Sequence, residues 1–219
     1  MHTKTISIGL DKGNKWTSTV RSPHKKAKSI PLIIVVRDIL GYANNAREAK
    51  KIIREGKIHV DKKVVLDHKF GVGLMDTIEV ADTKDHFVVL PNNKGIYLKN
   101  VKDHDTKRKL CRVIGKKVLD KGKLQYNFHD GSNIISDKKF KVNDTLVLDL
   151  PSRKIASSVD YAKGCQGLIV AGRHTGQTGT VEDIQEATTS RKSLTKVGNI
   201  QTLTEYVFAI GKDKPLIEV

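Results

Sequence analysis

Apolar residues along this chain recur at two different periods, and the change of period divides the sequence. Between residues 29 and 56 they follow helical spacing. Leu32, Val35, Val36, Ile39 and Leu40 face one side of a first helix, which opens near Ser29-Ile30-Pro31, where proline suits an early helical position, and exits through Gly41. Ala46, Ala49, Ile52 and Ile53 give a second helix its apolar arc. Asn45 stands at its N-cap with Glu48 three residues on as the reciprocal partner of a capping box, and Gly56 ends it. Beyond Gly56 the period becomes two. Lys57-Ile58-His59-Val60 alternates as a strand, Asp61-Lys62-Lys63 turns into Val64-Val65-Leu66, and Thr77-Ile78-Glu79-Val80 follows the Gly71 to Asp76 turn.

From about residue 87 the chain is β-rich throughout. Phe87-Val88-Val89-Leu90 meets a Pro91-Asn92-Asn93-Lys94-Gly95 turn, and later turn signals at Asp120-Lys121-Gly122, His129-Asp130-Gly131 and Val142-Asn143-Asp144 separate short apolar runs. That spacing indicates a small sandwich or barrel, closed by Pro151. A third block begins near Asp160, where glycines between apolar pairs (Gly167, Gly172, Gly176, Gly179) suggest tight barrel turns made by positive φ. Tyr206 to Ile210 and Leu216 to Val219 read as a C-terminal hairpin. The predicted fold class is α+β and multidomain. A basic N-terminal arm covers 1–28, a helix–helix–ribbon domain 29–84, a central β-rich domain 85–159 and a β-barrel domain 160–219.

Charge turns this outline into a functional expectation. Forty basic against 24 acidic residues leave a formal net charge of +16, which favours a polyanionic partner. A membrane is not expected. The apolar run Ile30 to Val36 is interrupted by Pro31 and stopped by Arg37, far short of the ~20 residues of a span, and the start of the sequence lacks the apolar core of a signal peptide. Two cysteines, Cys111 and Cys165, without a neighbouring Cys or His at ligand spacing, argue against a disulfide framework or a structural zinc and fit a reducing cytosol.

The second helix carries the sharpest signal. At roughly 100° per residue, Arg47, Lys50, Lys51 and Arg54 fall within about 100° of arc that does not overlap the apolar arc. Burying one stripe therefore leaves the other facing outward, free for phosphates. Glu48 and Glu55 lie to one side, while Lys57, Lys62 and Lys63 extend the basic patch onto the ribbon. A run of charges on a helix is more often a plain solvated face, but this geometry favours RNA contact. Arg37 is a weaker candidate, with Asp38 or Glu48 as competing ion-pair partners. The arm, with seven basic residues and one Asp over positions 1–30, adds Lys12, Lys15, Trp16, His24, Lys25 and Lys26 as candidates, and is expected to order on RNA. Arg173 and His174 could meet phosphate from the glycine-rich loop.

Catalytic readings are weak. His129-Asp130 occupies a turn with no nucleophile beside it, where Asp usually caps its own backbone. Gly176-x-x-Gly179 lacks the flanking helices of a KH loop, and no Lys follows Gly176 as a P-loop would need. No enzyme activity, metal, cofactor or small-molecule substrate is expected.

The ordered series of motifs resembles a known family. Ser29-Ile30-Pro31-Leu32, Arg37-Asp38-Ile39-Leu40-Gly41-Tyr42-Ala43, Arg47-Glu48-Ala49-Lys50, Gly56-Lys57 and Val72-Gly73-Leu74-Met75-Asp76 are similar to the archaeal and eukaryotic small-subunit ribosomal proteins of the "four-e" family. Upstream, Lys15-Trp16 and Pro23-His24-Lys25 resemble that family's N-terminal segment. Downstream, Lys109-Leu110-Cys111-Arg112-Val113, His129 to Ile134 and Val142-x-Asp144-Thr145-Leu146 resemble its central domain, Gly172-Arg173-His174-x-Gly176-x-x-Gly179 its KOW-type, SH3-like barrel, and Val207 to Lys212 with Lys214-Pro215 its last strands. The N-terminal segment is shorter and poorer in proline than the family shows, and Ala187 to Val197 is richer in Thr, Ser and Lys. The resemblance implies a cytoplasmic structural protein of the small ribosomal subunit, with ribosomal RNA and neighbouring small-subunit proteins as partners. The rivals are an assembly or modification factor using the same helix–ribbon domain, and a KOW-type transcription factor.

Overall fold

The computed structural model describes residues 18–119, 122–189 and 191–216. Contacts divide the described residues into two units: those up to 90, 94–109 and 149–153 form the first, and 91–93, those within 110–148 and those from 154 onward the second.

The first unit begins where the arm was expected to hang free. Val20 is buried, and Arg21 bridges Phe70 in parallel through Arg21 N–H to Lys69 O (2.8 Å) and Gly71 N–H to Arg21 O (3.1 Å). The segment then crosses a strand whose glycines make room for it: a Cβ on Gly71 would lie 2.3 Å from that of Ser22, and one on Gly73 would lie 2.6 Å from the His24 ring. The expectation of a free arm is thus corrected from Val20 onward. Positions 1–17, with Lys12, Lys15 and Trp16, lie outside the described residues.

Ser29–Pro31 is a strand, β1, and not the opening of a helix. It pairs antiparallel with β4, Gly71–Gly73, in the register Ile30 to Val72. Pro31 has extended backbone at ψ 139°, and the chain coils only from Leu32, where α1 (Leu32–Ile34) continues into a wider helical turn over Val35–Ile39. Gly41, at φ +69°, releases it as expected. Helix α2 spans Ala46–Arg54. Asn45 Oδ1 accepts from Arg47 N–H and Glu48 N–H, while the Glu48 carboxylate accepts from Asn44 N–H and from the Asn45 amide, closing the cap from both sides.

Strands β2 (Ile58–Val60) and β3 (Lys63–Val64) are joined by Asp61 and Lys62, both at positive φ, as a two-residue hairpin demands. β5 (Thr77–Val80), β6 (Asp85–Asn92) and β7 (Gly95–Asn100) complete a five-stranded sheet ordered β3-β2-β5-β6-β7. The boundary expected near residue 84 therefore falls inside one sheet, because Val88 pairs with Thr77 and carries the buried run Val88 to Leu90. Ala49 and Ile53 of α2 pack with Leu32, Val36, Ile58, Val60 and Ile78 in a single core. A short helix α3, Asp103–Thr106, follows β7.

Apart from Arg108, Lys109 and Asp149 at strand ends, which belong to the first unit, the second unit holds two antiparallel five-stranded sheets. β8 (Arg108–Val118), β9 (Leu124–Phe128), β10 (Asn133–Ser136), β11 (Thr145–Asp149) and β12 (Lys154–Val159) are ordered β10-β9-β8-β11-β12, over a core of Cys111, Val113, Tyr126, Phe128, Leu146 and Leu148. β13 (Gln166–Ile169), β14 (Thr178–Gln185), β15 (Leu194–Val197), β16 (Ile200–Leu203) and β17 (Val207–Gly211) are ordered β16-β15-β14-β13-β17. Gly176 sits at φ +90°, but Gly179 is extended within β14, opposite Gly167. The expectation of positive φ holds at the first glycine and not at the second. The second is confined instead by Val197, whose Cγ1 would be 3.1 Å from an added Cβ. The partner strand expected for β17 near the C-terminus falls largely on 217–219, outside the described residues, and β17 pairs with β13.

Candidate nucleic-acid interface

Helix α2 is fixed by its cap at one end, by Gly56 (φ +75°) at the other, and by Ala49 and Ile53 beneath. That leaves Arg47, Lys51 and Arg54 exposed, with Lys50 half-buried at the edge of the same face. Together with Glu55 they line an open depression of ≈ 550 Å³. Among the described residues, the only carboxylate reaching into the stripe is Glu55, 3.9 Å from Lys51 in a pair whose Lys side chain is 79% exposed. Such a pair binds its lysine loosely and leaves the charge available.

One further residue belongs here that the sequence left out. His68 is half-buried, and its imidazole titrates below its ordinary value. Burial is the main cause and the charge of Lys50 the next, with Lys69 and Arg54 adding to it against the opposing Asp67. His68 thus lies within the field of the α2 cations. A helical stripe is readable from its period, whereas the loop that brings a histidine alongside is not.

Other expected contacts are drawn inward. His24 is buried, with Nε2 2.9 and 3.0 Å from the two oxygens of Asp76, so its ring is engaged within the fold as a structural pin. Lys62 turns its ammonium onto Glu79 and Asp103; burial works against that charge, but the two partners outweigh it and raise the pKa. Arg37 makes a two-pronged pair with Asp38, Nε to Oδ1 and Nη2 to Oδ2 both at 2.7 Å. Lys57 lies between Asp82 (2.9 Å) and Glu55 (3.1 Å), and hydrogen bonds to them raise its pKa. For Lys62, Arg37 and Lys57 a carboxylate, whether distant in sequence or close by, already neutralises the cation. Lys25, Lys26 and Lys63 remain exposed in the first unit. Arg173 and His174 are exposed in the β13–β14 loop of the second.

Among the described residues, Glu79, His86 and Asp103 bring their side-chain ligand atoms within 4.8 Å of one another. The Lys62 ammonium bridges the two carboxylates, which supplies the cation such a cluster needs. His129 and Asp130 are both engaged in local hydrogen bonds. Asp130 is buried and accepts from Ser132 N–H and Oγ–H within its own turn, and His129 Nδ1 accepts from Arg112 N–H. Cys111 and Cys165 are both buried and reduced. No helix among the described residues is long and apolar enough to cross a membrane.

Comparison with known proteins converges on this arrangement. An S4 domain matches residues 31–78, the stretch that holds α1, α2 and the ribbon, and ribosomal family S4e matches residues 83–155. The small ribosomal subunit protein eS4 of Methanosphaera stadtmanae is 39% identical over 93% of this chain and 87% of its own length. That of Aeropyrum pernix is 37% identical over 96% and 89%. The crystal structure of 30S ribosomal protein S4e from Thermoplasma acidophilum superposes with a TM-score of 0.76 at 32% identity, covering 84% of this chain and 96% of that one. With an S4 domain leading into the S4e segment and this likeness along nearly its full length, the chain belongs to the S4e family of small-subunit ribosomal proteins.

Proposed function

We propose that the α2 face is where this ribosomal protein grips folded ribosomal RNA, in the cytoplasm and beside neighbouring small-subunit proteins. The observation that carries the reading is the contrast in pairing. Carboxylates neutralise Lys57, Lys62 and Arg37, yet Arg47, Lys50 and Arg54 have no ion pair among the described residues. Unpaired cations fixed on one helix face suit phosphates held at fixed spacing, and duplex RNA offers mainly phosphates and 2′-hydroxyls. Lys63, Lys25 and Lys26 extend the contact, and Arg173 with His174 contributes from the β13–β14 loop. The sheet order of β13 to β17 and the glycine-bearing β13–β14 loop support a KOW-type barrel in the second unit.

Replacing Arg47, Lys51 and Arg54 together by Ala tests the reading. Affinity for small-subunit ribosomal RNA should fall, and the slope of log affinity against log salt should flatten by ~0.7–0.9 for every phosphate no longer neutralised. In the wild type, bound phosphates should also raise the His68 pKa by offsetting Lys50 and Arg54. Unchanged affinity, slope and His68 titration would reduce the α2 stripe to a solvated face.

A further inference from the structure

One sheet face in the second unit is uncovered, and its chemistry is unlike that of α2. In the register of β8, β9 and β10, Lys117 pairs with Gln125 and Gln125 with Ile135; one row along, Gly115 pairs with Asn127 and Asn127 with Asn133. Alternation puts these six residues on the face opposite Tyr126 and Phe128, which are buried in the core. The Gln125 amide donates to Asn127 Oδ1 at 3.1 Å along that face. A Cβ built on Gly115 meets nothing within 4 Å, so the face is open to solvent on its β8 side.

The surroundings are strongly basic. Lys116, Lys117, Lys123, Lys138, Lys139 and Lys141 are all exposed within residues 110–148, and none has an ion pair among the described residues. Of these, Lys117 stands on the open face and Lys123 leads into β9, whereas Lys116 pairs with Tyr126 on the other face and the 138–141 segment bonds the Tyr126 hydroxyl there. Asp137 is the exposed acid described there, since Asp130 and Asp144 are buried and hydrogen-bonded within their own turns. The aromatic rings of this sheet point the other way: Phe140 packs edge-on against Tyr126 with centroids 5.2 Å apart. Single-strand binders stack bases on exposed rings, and this face presents none among its described residues. It presents primary amides, which donate and accept as a 2′-hydroxyl does, flanked by ammonium groups of the kind that meet phosphates.

We propose that the open face of β8, β9 and β10 is a second RNA surface, which takes the backbone of duplex RNA with lysines on phosphates and with Gln125, Asn127 and Asn133 on 2′-hydroxyls. The proposal rests on folded RNA being the partner of the chain, but on none of the α2 residues. Because Gly115 has open space and no positive φ, a side chain there can be changed with little strain, which makes it the position for the test.

The full chain is assayed against deproteinised small-subunit ribosomal RNA as Gly115→Gln and Gly115→Glu, with the Arg47/Lys51/Arg54 triple alanine variant alongside. Gly115→Glu should bind at least several-fold more weakly than Gly115→Gln at equal melting temperature, since only the charge differs. Lys117→Ala with Lys123→Ala should flatten the salt slope by ~0.7–0.9 for each phosphate deprived of its lysine. Gln125→Ala with Asn127→Ala should weaken binding without moving that slope. If Gly115→Glu disturbs folding, Lys117→Glu at an exposed strand position carries the same comparison against Lys117→Gln. Equal affinities within these pairs, with the α2 triple still defective, would overturn the second surface and leave the α2 reading standing. Equal affinities in every variant would sink both. Loss of binding to a neighbouring ribosomal protein, with RNA affinity intact, would make this face a protein contact and would equally overturn the proposal.

Discussion

Around Asp76 the first unit buries its cations against carboxylates, and along α2 it leaves them in water. Lys109 is 2% exposed at its side chain, with Nζ 2.6 Å from both Asp61 Oδ2 and Asp76 Oδ1, and His24 closes on the far side of Asp76. Arg47, Lys51 and Arg54 have solvent around them and one loose carboxylate nearby. A charge taken from water needs its partner, so the buried group is committed to the fold. A charge left in water contributes little to stability and remains free to bind. The same residue types thus serve two purposes, and burial decides which.

The largest effect expected from breaking this contrast is at Lys109. Lys109→Met would leave Asp61 and Asp76 buried without the ammonium and should cost about 3–5 kcal/mol in urea unfolding. The acid limb of stability sharpens the test. Burial pushes the Asp76 pKa up, but Lys109 and then His24 outweigh it and hold the carboxyl well below its ordinary value. The unfolded chain therefore takes that proton first: the stabilisation is complete above about pH 4 and is lost as pH falls below it. Asp61 works in the opposite sense, since burial and the Asp76 charge raise its pKa, and its protonation favours the folded state. Unfolding free energies measured over a pH series should accordingly lose their decline below pH ~4 in Asp76→Asn and decline more steeply in Asp61→Asn. Parallel curves for all three proteins would mean that the cluster holds no net charge interaction.

Next in size is the pin itself. Gly73→Ala would place a methyl 2.6 Å from His24 Nδ1, and either the ring or the strand must give way. Overpacking of this kind costs about 1–3 kcal/mol. Because Arg21 and His24 hold the segment together, amide exchange at Arg21, whose N–H donates to Lys69 O, should speed up in the variant. Unaltered protection would show that the segment is held from elsewhere.

The division between legible and hidden features follows distance along the chain. The Asn45–Glu48 cap, the Gly41 and Gly56 exits and the β5 strand depend on residues within one or two turns of each other, and all are readable from sequence. His24 and Asp76 are 52 residues apart, and Lys62 and Asp103 are 41 apart, so the pairing that removes these side chains from the surface leaves no local trace. Proline at position 31 suits a first helical turn and an extended cap equally, and only the pairing of Ile30 with Val72 decides for the strand. Likewise Gly179 resembles a turn glycine until Gly167 is found opposite it. The sheet that runs across the boundary expected at 84 is hidden for the same reason, since β6 joins it by pairing with β5 and changes nothing in its own composition.

On the exposed side of the comparison, the cap is worth more than any charge it supports. Asn45→Ala should lower stability by about 1 kcal/mol, because two N-terminal amides of α2 lose their acceptor. Fraying there also loosens Arg47, so RNA affinity should decline modestly with the melting temperature. A variant that melts lower and binds as well as wild type would exclude Arg47 from the contact.

The smallest expected effect on stability is also the most discriminating. Lys50→Ala should shift unfolding free energy at neutral pH by no more than about 0.5 kcal/mol, an order of magnitude below Lys109→Met. Its signature should appear at His68 instead. The Lys50 charge is the foremost electrostatic cause of the lowered imidazole pKa, second only to burial, so removing it should raise that pKa toward the ordinary value without fully restoring it. A histidine whose folded pKa is depressed costs stability as pH falls through its unfolded pKa, near 6.5, because the unfolded chain binds the proton more readily. Lys50→Ala should therefore soften the decline in stability below about pH 6 while leaving neutral pH untouched. Imidazole proton shifts followed by NMR report the titration directly. If His68 titrates identically in the two proteins, the α2 field does not extend to the loop, and the surface offered to RNA ends at the helix.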